Sequence, residues 1–163
     1  MENVQSEEYI SIGTNRHIEK VISVSDPDTI MLSGNNWNGD KYIRAGLSGN
    51  ENEGTWTDGN EMTFFKLNFT GEGEQYVMII NVETAYKRDQ RVIAYVNDQM
   101  VKDIIVDANM PSIIQIPIIL DENRNAKIRL SLPNVVAPIQ TGLNSERRTL
   151  GLRRTSISFQ KSD

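Results

Sequence analysis

An alternation of apolar and polar residues recurs along most of this chain, and it constrains the fold more than any other feature. In residues 126–132, Ile128, Leu130 and Leu132 fall on one side while Lys127, Arg129 and Ser131 fall on the other. That is the pattern of an antiparallel strand with one wet face. The same period of two runs through 9–12, 62–69, 76–82, 91–96, 102–106, 112–118 and 155–159. Shorter strands fit 21–24, 29–32 and 41–44. No window of about 11 residues or more carries an apolar stripe at helical spacing. The best helical segment is one short turn near 144–148, where Asn144 or Ser145 suits a cap.

Polar stretches of hairpin length separate the strands at 70–74, 96–99 and 120–125. Short antiparallel strands at roughly ten-residue spacing make an all-β chain, a sandwich or a barrel. A two-sheet antiparallel β-sandwich of jelly-roll type is the expected architecture, with an immunoglobulin-like sandwich as the alternative. Within the last strand the apolar phase slips: Leu150 and Leu152 are even-numbered, Ile157 and Phe159 odd. A regular strand cannot bury both pairs on one side, so a β-bulge is expected near Arg153 and Arg154. Residues 33–57 show no clear pattern, and a loop that long in a compact domain carries function or hides a strand.

A length of 163 residues fits a single domain. The net charge is -5 and no run of Lys or Arg exceeds two residues, so nucleic acid is not an expected partner. The apolar run 116–120 is interrupted by Pro117, and no apolar run is long enough for a bilayer span. There is no cysteine, which removes disulfides, thiolate metal sites and cysteine nucleophiles. The first residues have neither the basic nor the apolar region of a signal peptide, and the expectation is a domain cut from a longer chain.

Catalytic signals are sparse. His17 is the only histidine, and its surroundings match no triad or metal-ligand spacing. Nucleophile-elbow, P-loop and dinucleotide motifs are missing. Glu51, Glu53 and Asp58 share one acidic region that a carboxylate-pair mechanism would need. Asp26, Asp28, Asp40 and Asp58 are hard oxygen donors compatible with a structural calcium, though not at EF-hand spacing.

What the sequence offers best is a binding surface. Trp37, Tyr42 and Trp56 lie in a region rich in Asn, Asp, Glu and Gly. Such a mixture stacks on a sugar ring while amides and carboxylates bond its hydroxyls. The same rings serve equally as core packing at a sheet edge. Arg147, Arg148, Arg153 and Arg154 form a second cluster, suited to carboxylate or phosphate groups or to pairing with the acidic loops.

Two segments at a distance from one another carry a resemblance. Residues 45–61, AGLSGNENEGTWTDGNE, and residues 138–152, PIQTGLNSERRTLGL, resemble the Gly-x-Trp and Arg-x-Leu-Gly-Leu segments of a β-sandwich accessory domain. That domain is appended to bacterial glycan-assembly proteins, including membrane phosphoglycerol transferases and polysaccharide glycosyltransferases. Leu47 stands where that family has an aromatic, and Glu146 where Asp is common. The resemblance spans residues 30–159 and implies a jelly-roll-like, non-catalytic module that touches a carbohydrate or its parent enzyme.

The leading expectation is therefore a carbohydrate-binding module for a bacterial glycan or glycan precursor, attached to a membrane-linked transferase. Trp37, Tyr42 and Trp56 are its stacking candidates, Glu51, Glu53, Asp58 and Asn60 its polar ones, and Arg147 and Arg148 would meet acidic groups. A structural domain that forms a homodimer, with no sugar ligand, is the rival. A glycan-active enzyme using loop carboxylates is the third reading. A membrane-anchored parent would place the domain in the cell envelope, and a cytoplasmic setting is also compatible.

Overall fold

The computed structural model describes residues 20–25, 28–48, 54–86, 89–107, 111–133, 135 and 150–161. The strand expected at 9–12 and the helical turn at 144–148 lie outside them. Thirteen strands are described: β1 (Val21–Val24), β2 (Asp28–Met31), β3 (Ile43–Ala45), β4 (Thr55–Asp58), β5 (Glu61–Phe64), β6 (Lys66–Phe69), β7 (Gln75–Ala85), β8 (Asp89–Val96), β9 (Gln99–Asp107), β10 (Ser112–Ile119), β11 (Asn125–Ala126), β12 (Ile128–Ser131) and β13 (Leu150–Lys161).

One sheet has the order β9-β8-β12-β5-β3. The other has β10-β7-β13-β2, with β4 lying beside the first part of β13. Passing from β4 to β5, from β7 to β8 and from β9 to β10, the chain changes sheet, as in a jelly roll. The alternation dictates which residues meet between the sheets. Met78, Ile80 and Val82 of β7, Ile114, Ile116 and Ile118 of β10, and Ile128 and Leu130 of β12 are all buried in one core. Phe69, Tyr76 and Phe159 close one end as an aromatic group, Phe69 lying 4.6 Å from Tyr76 and 5.5 Å from Phe159 between ring centroids. At roughly 25 cal/mol per Å² of apolar surface, this buried set dominates the stability.

The stretch 62–69, expected as one strand, is two. Met62 and Phe64 are buried at even positions and Leu67 and Phe69 at odd ones, with Phe65 half-buried at the change of phase. The chain bends there, and β6 joins β1 and β11 in a small three-stranded sheet in which β1 and β6 run parallel. The expected strand at 41–44 begins as a short helix, α1 (Gly39–Tyr42), before β3.

The turns follow side-chain chemistry. Asn97 and Asp98 both have positive φ, 51° and 67°, the two-residue hairpin geometry these residue types tolerate. The Asp121 carboxylate accepts the N–H groups of Asn123 and Asn125 at 2.8 and 2.9 Å. Arg124 then donates to the carbonyls of Phe69 and Gly73 at 2.8 Å, and also to that of Gly71, tying the 70–74 loop to this turn.

Candidate ligand-binding site

The two segments that carry the resemblance meet as neighbouring strands. β4 pairs with the first part of β13 in the register Thr55↔Arg154, Trp56↔Arg153 and Asp58↔Leu150. Two glycines permit the approach. A Cβ on Gly54, at φ 133°, would come 2.6 Å from the Arg154 carbonyl oxygen. On Gly151 it would come 2.7 Å from Thr57 Oγ1, whose hydroxyl accepts the Leu152 N–H at 3.0 Å. On its other edge β4 is held by the 46–48 segment, where Ser48 donates to Trp56 O and Asp58 N–H to Gly46 O, both at 3.0 Å.

The bulge expected near Arg153 and Arg154 is present. Register against β7 shifts between Arg153 and Arg154 and again between Arg154 and Ser156. Leu152 and Arg154 are buried before it, Ile157 and Phe159 after it.

Because successive residues of a strand point to opposite faces, the β4–β13 pair has two distinct sides. On the inner side Thr55 is fully buried, and its hydroxyl donates to Leu32 O at 2.7 Å. The same oxygen accepts the indole N–H of Trp37 at 2.9 Å. Trp37 stands between a 3-10 turn (Gly34–Asn36) and α1, and the segment is fixed by Asn38. The Asn38 side-chain oxygen accepts the Met31 N–H at 2.7 Å, and the Asn38 backbone N–H donates to Met31 O at 3.0 Å.

Arg154, opposite Thr55, is completely buried. Its Nη1 donates to Met62 Sδ, while Nε and Nη2 have no partner among the described residues. Burial pushes its guanidinium pKa down to about 9.

On the outer side, Trp56 is half-buried. Its ring meets that of Tyr86 edge-on, with centroids 6.3 Å apart and planes at 74°, and the Arg153 guanidinium lies over it at 5.6 Å. Asp58 is two residues further along the same side and is also half-buried. The arrangement gives a partly exposed indole, a cation and a carboxylate within two strands, with one ring edge already braced by Tyr86. Such a set can stack on a sugar and bond its hydroxyls.

The expected site residues are thus divided. Trp56 and Asp58 come together, whereas Trp37 lies on the Thr55 side of β4 and its polar atom is already committed. Tyr42 is a correction: only 4% exposed, it is packed in the core at the end of α1, because the helix turns its ring inward beside Ile43. Asn60 is exposed in the β4–β5 turn, its carbonyl accepting the Leu132 N–H at 2.8 Å. Glu51, Glu53, Arg147 and Arg148 lie outside the described residues, as do His17 and Asp26. Asp28 is occupied with its own turn, accepting the N–H groups of Ser25 and Thr29 at 3.4 and 3.1 Å. Asp40 and Asp58 are on other elements, and among the described residues no three His, Asp or Glu side chains gather as a calcium site would require.

Tyr86 and Thr55 are neighbours of the candidate site that sequence reasoning did not single out. Arg153 was legible only as one of an arginine cluster. Its place over Trp56 follows from a register set across about a hundred residues of chain.

No protein-family model and no curated protein matches the sequence. Solved structures do match in fold. The chain is similar to the CBM36-1 domain of a multidomain xylanase from the hindgut metagenome of Trinervitermes trinervoides, with TM-score 0.50, 11% identity and coverage of 85% of this chain and 99% of that one. It is also similar to part of a family GH115 4-O-methyl-alpha-glucuronidase with specificity for decorated arabinogalactans. There the TM-score is 0.51, the identity 9%, and the match covers 78% of this chain but only 17% of that one. At such identities the likeness is one of fold: a jelly-roll-like β-sandwich.

Proposed function

We propose that this chain is a non-catalytic carbohydrate-binding module, working as an accessory domain of a bacterial protein that assembles or modifies a surface glycan. The observation that carries the reading is the outer side of the β4–β13 pair, where half-buried Trp56 lies beneath Arg153 and beside Tyr86 and Asp58. The likeness to a CBM36 domain, a carbohydrate-binding module by its name, supports it. Trp56 supplies the stacking face, while Asp58, Asn60 and the acidic residues Glu51 and Glu53 supply hydroxyl contacts. Arg147 and Arg148 meet acidic substituents. The parent in this reading is a membrane-linked transferase, in which residues 1–163 form one β-sandwich domain.

Calorimetric titration with oligosaccharides prepared from bacterial envelope polysaccharides tests the reading. Binding that is lost in Trp56→Ala with the thermal transition nearly unchanged supports it. Full-strength binding in that variant removes Trp56 from the site, and no binding to any sugar overturns the module.

A second reading has one observation in its favour. β9 and β10 are the outermost strands of their two sheets and touch one another, and they expose Met100, Ile105, Ile113 and Ile119, each about 60% accessible. Exposed apolar residues on edge strands suit pairing with a second copy. Sedimentation of the native chain and of Ile105→Lys decides: a dimer that the variant converts to monomer favours a structural role, and a monomer at all concentrations rejects it.

A further inference from the structure

The outer faces of the two large sheets differ in charge. On the β9-β8-β12-β5-β3 sheet the face is laced by ion pairs, Arg129 with Glu61 at 3.0 Å and Arg91 with Asp103 at 2.8 Å. On the β10-β7-β13-β2 sheet the register lines up the outward residues in rows. Ile113, Asn81, Ser156 and Met31 form one row, and Gln115, Ile79, Ser158 and Thr29 the next. Two shorter rows beyond them end at Gln160 and Gln75. None of the residues in these rows is charged, in a chain that is 24% Asp, Glu, Lys and Arg. A sheet face that meets only water normally draws on those residue types, as the first sheet does.

We infer that this charge-free face is a track for an extended neutral glycan chain, one end of which reaches the Trp56 site. Its sugar chemistry rests on the carbohydrate-binding reading. The two surfaces are continuous, since Trp56, Arg153 and Thr84 form a row on the same outer side, three residues along β13 from Ser156. Between them the bulge leaves Thr155 out of register. A hollow of about 380 Å³ opens there, and its walls include Asn81, Glu83, Ser112, Ile113 and Thr155. From Arg153 to Gln160 the surface runs for roughly 20 Å at about 3.3 Å per residue, which suits a chain of sugars better than a single one.

The side chains match a neutral sugar. Gln115 and Gln160 are exposed and Ser158 is half-buried, and none of the three has a side-chain partner among the described residues. Asn81 gives an amide N–H to Ser156 Oγ at 2.8 Å, which fixes both groups at the edge of the hollow. Amides and hydroxyls bond sugar hydroxyls in either direction and need no charge to do so. Half-buried Val77 and Ile79 lie among them and offer apolar surface to the C–H faces of the rings. An anionic chain would give up water here and meet no cation in the rows, on a protein whose net charge of -5 already repels it. A second copy is the other uncharged partner the face could take. Four strands about 4.8 Å apart, each about eight residues long, give a footprint of roughly 500 Å² per copy, so a pair would bury about 1,000 Å², at the floor for a stable dimer.

Amide chemical-shift titration of the whole chain provides the test. The probes are the disaccharides and hexasaccharides of β-1,4-linked xylose, mannose and glucose, with hexagalacturonate as the acidic counterpart. The Trp56, Asn81, Ser156 and Ser158 amides should move together with at least one neutral hexasaccharide, which should bind roughly tenfold more tightly than the disaccharide of the same sugar. About 0.5 M salt should leave that affinity unchanged. Ser158→Asp sets a charge in the middle of the track and should weaken the hexasaccharide roughly tenfold while the disaccharide binds as before. Gln160→Asp, at an exposed position further along, repeats the test should Ser158→Asp fail to fold. Ser131→Asp, the same change on the opposite sheet, should alter neither.

A hexasaccharide that binds no more tightly than its disaccharide, or that moves only the amides around Trp56, overturns the track and leaves the module reading standing. Face amides that move while the Trp56 amide stays still support the track and remove Trp56 from it. Hexagalacturonate moving the face amides as tightly as the neutral hexasaccharides, or binding lost in salt, overturns the neutral class. No movement with any neutral probe overturns the track. Face amides that shift with protein concentration and not with sugar assign the face to a second copy and overturn the track as well.

Discussion

The two sides of the β4–β13 pair are built from near-identical residue types and do opposite work. Each side has a tryptophan and an arginine. Inside, Trp37 is tethered through Thr55 to the Leu32 carbonyl, and Arg154 is fully buried against Met62. Outside, Trp56 and Arg153 stack at the surface beside Tyr86. One step along a strand separates Thr55 from Trp56 and Arg153 from Arg154, and that step decides between framework and surface. The indole whose N–H is spent on the protein is poorly suited to a ligand, and the one braced only by ring edges and a cation is well suited.

The comparison breaks most visibly at Trp37. Trp37→Ala removes a half-buried ring and leaves the Thr55 hydroxyl short of a donor, so it should destabilise by about 2–3 kcal/mol, less than a fully buried ring would cost. Trp56→Ala should cost about 1 kcal/mol or less. Denaturant unfolding of both variants checks the ordering, and equal losses would mean that the two rings share one structural role.

Arg154→Met is the next largest effect and has the opposite sign. An uncompensated buried guanidinium costs several kcal/mol, and replacing such groups by apolar ones is commonly neutral or stabilising by about 1–4 kcal/mol. The pH dependence identifies the cause. The folded-state pKa, about 9, lies below the usual arginine value, so above pH 9 the unfolded chain binds the extra proton and the native protein gains stability as pH rises. The advantage of Arg154→Met should therefore be constant below pH 9 and shrink above it. Urea midpoints of the two proteins at pH 7 and pH 10 measure this, and an advantage unchanged at pH 10 would assign it to packing instead.

Thr55→Val follows, at about 1–2 kcal/mol. It keeps the β-branched shape, removes the hydroxyl that links Trp37 to Leu32, and leaves the indole N–H and the Leu32 carbonyl without that partner. Trp37 fluorescence should change with it while Trp56 binding does not, which separates the inner side from the outer in one protein.

Much of this fold was legible because its core is written in period two. The alternation in 76–82, 112–118 and 126–132 gave the strands, and the slip between Leu152 and Ile157 gave the bulge. Residues 33–57 resisted for a physical reason: they pack a 3-10 turn, a four-residue helix and two strands of three and four residues, each too short to show a period. Tyr42 misled because its polar neighbours describe the exposed side of α1, while the ring turns to the other. Arg154 shares the even phase of Leu152 and is buried with it, a place that the usual exposure of arginine did not suggest. The facing of Trp56 by Arg153 needed a register no local pattern contains.

The smallest effect on stability is the sharpest on the site. Arg153→Gln removes a cation from over the Trp56 ring, and at a partly exposed contact this is worth roughly 0.5–1 kcal/mol. The fold should therefore barely register it. Binding should respond according to what Arg153 does when a sugar arrives. If it clamps the ligand, affinity falls several-fold together with that of Trp56→Ala, and the double variant loses no more than the larger single loss. If instead it shields an empty platform, Arg153→Gln uncovers the ring and tightens binding to neutral sugars, and the effects of the two variants oppose one another. Titration of the native chain, both single variants and the double variant against one neutral oligosaccharide gives the coupling directly. A coupling of zero would show that the cation and the ring, although stacked in the structure, do not act on the same ligand.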